Sequence, residues 1–283
     1  MDAVRGRSDA GRTATSPQPT DASRPRSRIA ALGYHEIADA PGESGFRRPG
    51  ALPYRFSRAE LEAHLDAIAA RGASVACVDA LDLDAPGVRT ILTFDDGGRS
   101  ALAAAAALER RGWRGHFFII TERIGTRGFL DAEGIRRLRE AGHVVGSHSH
   151  THPDIFRALD AAAMAREWQE SRDRLEQLLG EPCVYASVPG GDVSRRVFAS
   201  AAAAGLRWLF TSEPWLAPRR VDGCWVLGRV VLKRGVSAPR VAELATGRGW
   251  GRALALRRLK GLARRAAPPL YRMYVERSVR DEE

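Results

Sequence analysis

Two short segments gather the groups in this chain that can do chemistry: Thr93-Phe94-Asp95-Asp96-Gly97 and His148-Ser149-His150-Thr151-His152-Pro153-Asp154. Adjacent aspartates are costly if both must be ionised in one place, because carboxylates a few ångströms apart repel. A bound cation removes that cost. Two histidines four residues apart supply neutral imidazole nitrogens from one turn of chain. One Asp and two His make a three-ligand set that leaves positions open for water and substrate. The second Asp is then free to act as a base on a water. His150 is off the four-residue spacing and reads as a neighbour of the site rather than a ligand. Taken singly, Asp-Asp-Gly is a common turn and a lone His is an ordinary surface or core residue. Taken together, each after an apolar run of strand type, the two segments point to a metal centre at the carboxyl ends of parallel strands.

The pair resembles the polysaccharide deacetylase family, also called the NodB-homology or carbohydrate esterase family 4 domain. That family's first motif is TFDDG and its second is H-(S/T)-x-x-H-P. Both stand unbroken here, about 50 residues apart and in the family's order. The resemblance runs over roughly residues 29–235. It implies that Asp95 is the general base and that Asp96, His148 and His152 hold one divalent metal ion. Zinc is the first choice, and cobalt, nickel, manganese or iron suit the same ligands. The implied fold is α/β, a distorted (β/α) barrel with seven or so parallel strands. The implied reaction is hydrolysis of an N-acetyl group from an amino sugar in an N-acetylated glycan, a polysaccharide or its lipid-linked precursor.

The chain departs from the family in two places. The third motif, Arg-x-Pro-aromatic-Gly, reads Ser187-Val188-Pro189-Gly190-Gly191 here. In the family the Arg pairs with the base aspartate, so the partner of Asp95 must come from elsewhere. Arg229, in Leu227-Gly228-Arg229-Val230, is a candidate, an ordinary strand-end Arg being the plainer reading. Pro189, Gly190 and Gly191 are expected to wall the substrate site, with backbone that a substrate can approach closely. The last family motif carries a histidine that protonates the leaving amine, and no histidine follows His152. His35, in Gly33-Tyr34-His35-Glu36-Ile37, is the substitute, because first and last strands are neighbours in a closed barrel. Trp215 follows a strand and is a candidate sugar platform, although tryptophans are more often core.

The elements that must position these residues alternate. Strands are expected over 28–34, 88–94, 115–120, 143–146, 183–187, 206–210 and 225–232. A capping box at Ser57-Arg58-Ala59-Glu60 opens a helix to about Ala70. Further helices are expected over 100–111, 131–142, 159–179, 194–204 and 237–246. Such a rhythm, with few hairpin signals, argues a parallel sheet with helices outside it, closed as a barrel or open and doubly wound.

Three segments follow from composition. Residues 1–28 read as a disordered basic tail, 29–247 as the catalytic domain and 248–283 as a basic C-terminal helical extension. The formal charge of +10 divides as +3, +1 and +6 over these segments. The body is therefore nearly neutral, and no nucleic-acid partner is expected. Cys77, Cys183 and Cys224 are too scattered for a disulfide or zinc framework. With no apolar run of ~18–20 residues and no apolar leader core, the cytoplasm is the expected location. Over 250–267, Ala255, Leu256, Leu259, Leu262 and Ala263 share one helix face, and Arg257, Arg258, Lys260, Arg264 and Arg265 the other. Such a helix either contacts an anionic membrane through 250–280, or packs its apolar face on the barrel with the basic face in water. Two other functions fit the same residues. One is a hydrolase of the same fold acting on a non-sugar amide, such as a formamide or ring amide, which the lost Arg and His favour. The other is a non-catalytic carbohydrate-binding relic, which the presence of all three ligands and the base disfavours.

Overall fold

A computed structural model describes residues 27–40, 43–46, 49–191 and 193–266. The chain opens with β1 (Ser27–Tyr34), β2 (Glu36–Ile37), β3 (Arg55–Phe56) and α1 (Arg58–Ala70). Then come β4 (Gly87–Phe94), α2 (Ala101–Glu109), β5 (His116–Ile119), α3 (Ala132–Glu140), β6 (Val144–Ser147) and α4 (Ala161–Leu179). The last part holds β7 (Tyr185–Ser187), α5 (Arg195–Ala203), β8 (Trp208–Phe210), β9 (Arg219–Val221), β10 (Cys224–Leu227), β11 (Arg229–Val231), α6 (Ala238–Ala245) and α7 (Trp250–Ala266). Local chemistry sets the helix starts. The Ser57–Glu60 capping box forms in both directions, and Asp131, Asp160 and Ser194 cap α3, α4 and α5 through their side chains.

The main sheet runs β11-β1-β4-β5-β6-β7-β8-β10-β9 and is parallel except for β9 on its edge. β10 pairs with β8 and β11 pairs with β1, yet only Gly228 separates β10 from β11. One segment of chain thus serves both ends of the curled sheet, with β9 added outside β10. Six strands and this split seventh form the expected distorted barrel. The single strand expected over 225–232 is therefore two. A Cβ at Gly228 would collide with the Glu213 and Trp215 carbonyls, so the switch of partners needs glycine.

Both faces of the central strands are buried, which is why they read as continuous apolar runs. Alternation divides them. Ile29, Ala31, Ile91, Phe118, Phe210 and Leu227 form an interior cluster. Their neighbours Leu32, Tyr34, Leu92, Phe94 and Phe117 pack outward with Leu61, Leu65, Ala104 and Leu108 of α1 and α2.

One boundary differs from the expectation. The tail ends sooner, because β1 begins at Ser27, whose buried hydroxyl donates to the carbonyls of Asp82 and Ala85. Residues 1–26, where the rest of the expected tail falls, lie outside the described residues, as do 267–283. α7 docks in the opposite sense to simple amphipathic packing. Trp250 is buried and donates to the Leu244 carbonyl, while Arg257 reaches Glu213 and the Gly191 carbonyl. Leu256 and Leu259 are 53% and 65% exposed, so these two leucines of the apolar face point away from the barrel. Among the described residues, no helix is long and apolar enough to cross a membrane.

Candidate active site

Counting every second residue along the inward-facing strands ends on the chemistry. From Ile29 and Ala31 the series reaches His35, from Ile91 it reaches Asp95, and from Leu227 it reaches Arg229. β6 and β7 deliver His148 and Ser187 to the same end of the barrel. Asp96 follows directly but leaves the strand, with φ at 77°. Ser149 and His152 also stand in the left-handed region, at 62° and 60°. Non-glycine residues pay about 1–3 kcal/mol for such backbone and hold it only where the surroundings fix it. Here the fixing bonds are visible. The amides of His150 and Thr151 both donate to Glu167 of α4 at 2.9 Å, and the His152 amide donates to Ser149 Oγ at 3.1 Å.

Asp96, His148 and His152 each offer one atom, and these atoms lie within 4.8 Å of one another. Asp96 Oδ1 is 3.4 Å from His148 Nε2 and 3.8 Å from His152 Nε2. Burial and then the neighbouring His148 push His152 down to about 4, so its imidazole is neutral near pH 7. Burial opposes charge on His148, but the Asp95 and Asp96 carboxylates outweigh it and raise its pKa. Two imidazole nitrogens and a carboxylate oxygen, converging within 4.8 Å of one another, are a donor set that fits a divalent transition-metal ion.

Asp95 belongs to a second, interlocking set. Arg229 is fully buried and grips it with two parallel bonds, Nη1 to Oδ1 and Nη2 to Oδ2, both 2.8 Å. The rest of the guanidinium fork donates to the Thr211 carbonyl and to Thr93 Oγ1. Burial alone would raise the Asp95 carboxyl. The charges of Arg229 and His148 and the Arg229 hydrogen bond outweigh it, holding the carboxyl well below the usual carboxylate range. Ser187 Oγ lies 3.0 Å from Asp95 Oδ1 and 2.6 Å from His148 Nδ1.

The His35 ring lies tilted against Tyr54, 4.8 Å between centroids, and its buried Nδ1 has no hydrogen-bond partner among the described residues. His35 follows β1 directly, and the pairing of Tyr34 with Phe94 puts it at the end of the barrel where Asp95 follows β4. Pro189 is buried, and Gly190 and Gly191 both have positive φ. A Cβ at Gly191 would collide with Ser212, so the loop is drawn tight against the next strand's exit. The structure does not bring Trp215 into the cluster by any described contact. Its ring carries the Arg219 guanidinium at 3.8 Å, so a sugar platform there would have one face already covered. His150 bonds Thr121 and stands outside the ligand set, as expected.

Two contributors went unread in the sequence. Ser187 registered only as a lost Arg. Glu36, beside His35, is buried and accepts from Ser100 Oγ at 2.6 Å and the Gly45 amide at 2.8 Å. It ties the start of α2 to the loop carrying Phe46, whose ring is 5.8 Å from His152. Its only sequence signal was position, one residue beyond the inward series.

The family model for polysaccharide deacetylase matches residues 84–209, which contain both motifs. The resemblance to that family therefore stands on the sequence. An uncharacterised 30.6 kDa protein of Geobacillus stearothermophilus is 30% identical over 43% of this chain and 45% of its own length. YxkH of Bacillus subtilis (strain 168), whose given name proposes a polysaccharide deacetylase, is 25% identical over 52% of each chain. The chain thus spans about half the length of the curated relatives it matches. Among solved structures, a polysaccharide deacetylase from Bacillus cereus superposes with a TM-score of 0.66 at 20% identity, covering 77% of this chain and 69% of that one. IcaB from Ammonifex degensii gives 0.62 at 23% identity, covering 77% and 97%. The Streptococcus pyogenes deacetylase PplD, solved with acetate, gives 0.64 at 18%, covering 77% and 98%. At these identities the likeness establishes the barrel fold. His35 and Arg229 lie outside 84–209, one on each side: Arg229 opens β11, which pairs with β1, and His35 directly follows β1.

Proposed function

We propose that this chain removes the N-acetyl group from an amino sugar within an N-acetylated glycan, using one divalent metal ion, zinc first, held by Asp96, His148 and His152. The observation that carries this reading is the convergence of those three donor atoms beside a buried carboxylate that Arg229 keeps ionised. A divalent cation held there would supply Lewis acidity toward the acetamide carbonyl and toward water. Asp95 receives the proton that water gives up as its oxygen attacks the carbonyl carbon. Arg229 fixes the carboxylate so that its lone pairs stay oriented through that transfer. His35 gives a proton to the departing nitrogen, and acetate and a free amine result. Pro189, Gly190 and Gly191 wall the sugar's approach.

The test is acetate release from N-acetylglucosamine oligomers of several linkages, with and without a chelator. Release is expected, with loss on chelation and recovery on adding zinc or cobalt. Chelator-insensitive release, or formate release from formamides with no acetate from any glycan, would overturn the reading.

The outward Leu256 and Leu259 of α7 and the +6 charge of residues 248–283 support peripheral contact with an anionic membrane. The full chain is expected to pellet with vesicles rich in phosphatidylglycerol and to pellet less as salt rises. The double substitution Leu256→Glu, Leu259→Glu should reduce pelleting to the level seen with neutral vesicles. Equal pelleting of both proteins would remove α7 from the interaction.

A further inference from the structure

We infer that Ser187 is a positioning residue. Its hydroxyl joins the base Asp95 to the metal ligand His148 and fixes the tautomer in which His148 presents Nε2 to the metal. The inference rests on the metal-site reading above and concerns how this chain sustains it after losing the family's arginine.

The proton count leaves one arrangement. Asp95, held ionised by two Arg229 bonds, can only accept. The Ser187 Oγ–H therefore donates to Asp95 Oδ1, at 3.0 Å. With its single proton so placed, Ser187 Oγ can only accept from His148 Nδ1, at 2.6 Å. The Ser187 carbonyl, 3.1 Å from the same nitrogen, is also an acceptor. Nδ1 thus faces two acceptors and must carry a proton, which leaves Nε2, 3.4 Å from Asp96 Oδ1, as the nitrogen that a metal ion would take. Ligating histidines are commonly fixed in this way by the partner of their other nitrogen, which orients the ring and raises its basicity.

Burial makes the arrangement consequential. Ser187 and His148 are fully or almost fully buried, so water is not at hand to replace a lost bond. The geometry also explains why a small side chain fits at position 187. The Asp95 carboxylate already receives its guanidinium from β11, and both of its oxygens are engaged there. A second guanidinium from β7 would be a like charge beside Arg229 in a buried site. Serine instead gives one hydrogen bond to the base and takes one from the ligand.

The test measures cobalt and zinc affinity of the full chain by titration, together with the visible spectrum of the cobalt form. Ser187→Ala removes the hydroxyl but keeps the carbonyl. It is expected to weaken metal binding by roughly 10–100-fold and shift the cobalt bands, while metal-free thermal stability changes little. Ser187→Thr, which keeps a hydroxyl, should recover most of the affinity. In an Asp95→Ala background the Ser187→Ala effect should shrink, because the acceptor that orients the hydroxyl is gone. An affinity for Ser187→Ala within about threefold of the natural chain would overturn the inference while leaving the metal-site reading intact. So would equal losses in both backgrounds. A natural chain that takes up no metal would overturn both.

Discussion

Arg229→Met is expected to destabilise the chain by roughly 3–5 kcal/mol and to cut acetate release by about 10²–10⁴-fold. The stability term follows from what remains. Asp95 keeps its burial and loses the two 2.8 Å bonds that offset it, so a carboxylate is left without its counter-charge. Methionine fills much of the space, which separates the charge effect from a cavity effect. The activity term follows from protonation. Without the guanidinium, burial becomes the dominant influence on Asp95 and raises its pKa, so a growing fraction of the protein carries a neutral acid where a base is needed. Arg229→Lys should fall between, since one ammonium cannot make the parallel pair of bonds or reach Thr211 and Thr93 as well.

The pH dependence has a definite sign. In the natural chain the folded Asp95 titrates below its unfolded value of about 3.9. The stability it contributes is therefore complete above about pH 4 and is withdrawn as pH falls through the folded pKa. In Arg229→Met the shift reverses. The penalty is fully present at neutral pH and fades as the carboxyl protonates. The stability gap between the two proteins, measured by urea unfolding, should narrow from pH 7 to pH 3. A constant gap would mean that Arg229 acts by packing alone.

What the sequence discloses depends on how local the determinant is. TFDDG and HSHTHP are short, and each candidate ligand is set by its own turn, so Asp96, His148 and His152 can be picked out without the fold. Arg229 is 134 residues from Asp95. Their meeting depends on β11 closing beside β1, which the sequence supports only as a candidate. Ser187 shows in the sequence as a subtraction. Its gain needs the position of His148 Nδ1, which no spacing supplies. The break at Gly228 is equally hidden, because the residues on both sides keep strand character and the crowding comes from the Glu213 and Trp215 carbonyls. For α7, periodicity defines two faces but not which one meets the barrel. The contacts of Trp250 and Arg257 decide that.

The division of labour between the two adjacent aspartates gives the second large effect. Asp96→Ala removes the only carboxylate in the three-donor set and should abolish both metal content and acetate release. His148→Ala should do the same, because it removes one ligand and leaves Ser187 without its donor. Asp95→Asn is expected to behave differently. The amide oxygen can still accept from Ser187 and from one Arg229 nitrogen, while its NH₂ faces the other. The metal set loses no donor, so metal content by elemental analysis should stay near that of the natural chain. Turnover should fall by about 10²–10⁴, because an amide cannot take the proton. The chain order explains why neighbours can hold such different roles. Asp95 closes the inward series of β4 and accepts Arg229 from across the barrel, whereas the positive φ at Asp96 turns the next carboxylate toward the histidines. If Asp95→Asn lost the metal and Asp96→Ala kept it, the two roles would have to be exchanged. If neither substitution changed acetate release, hydrolysis at this centre would be excluded.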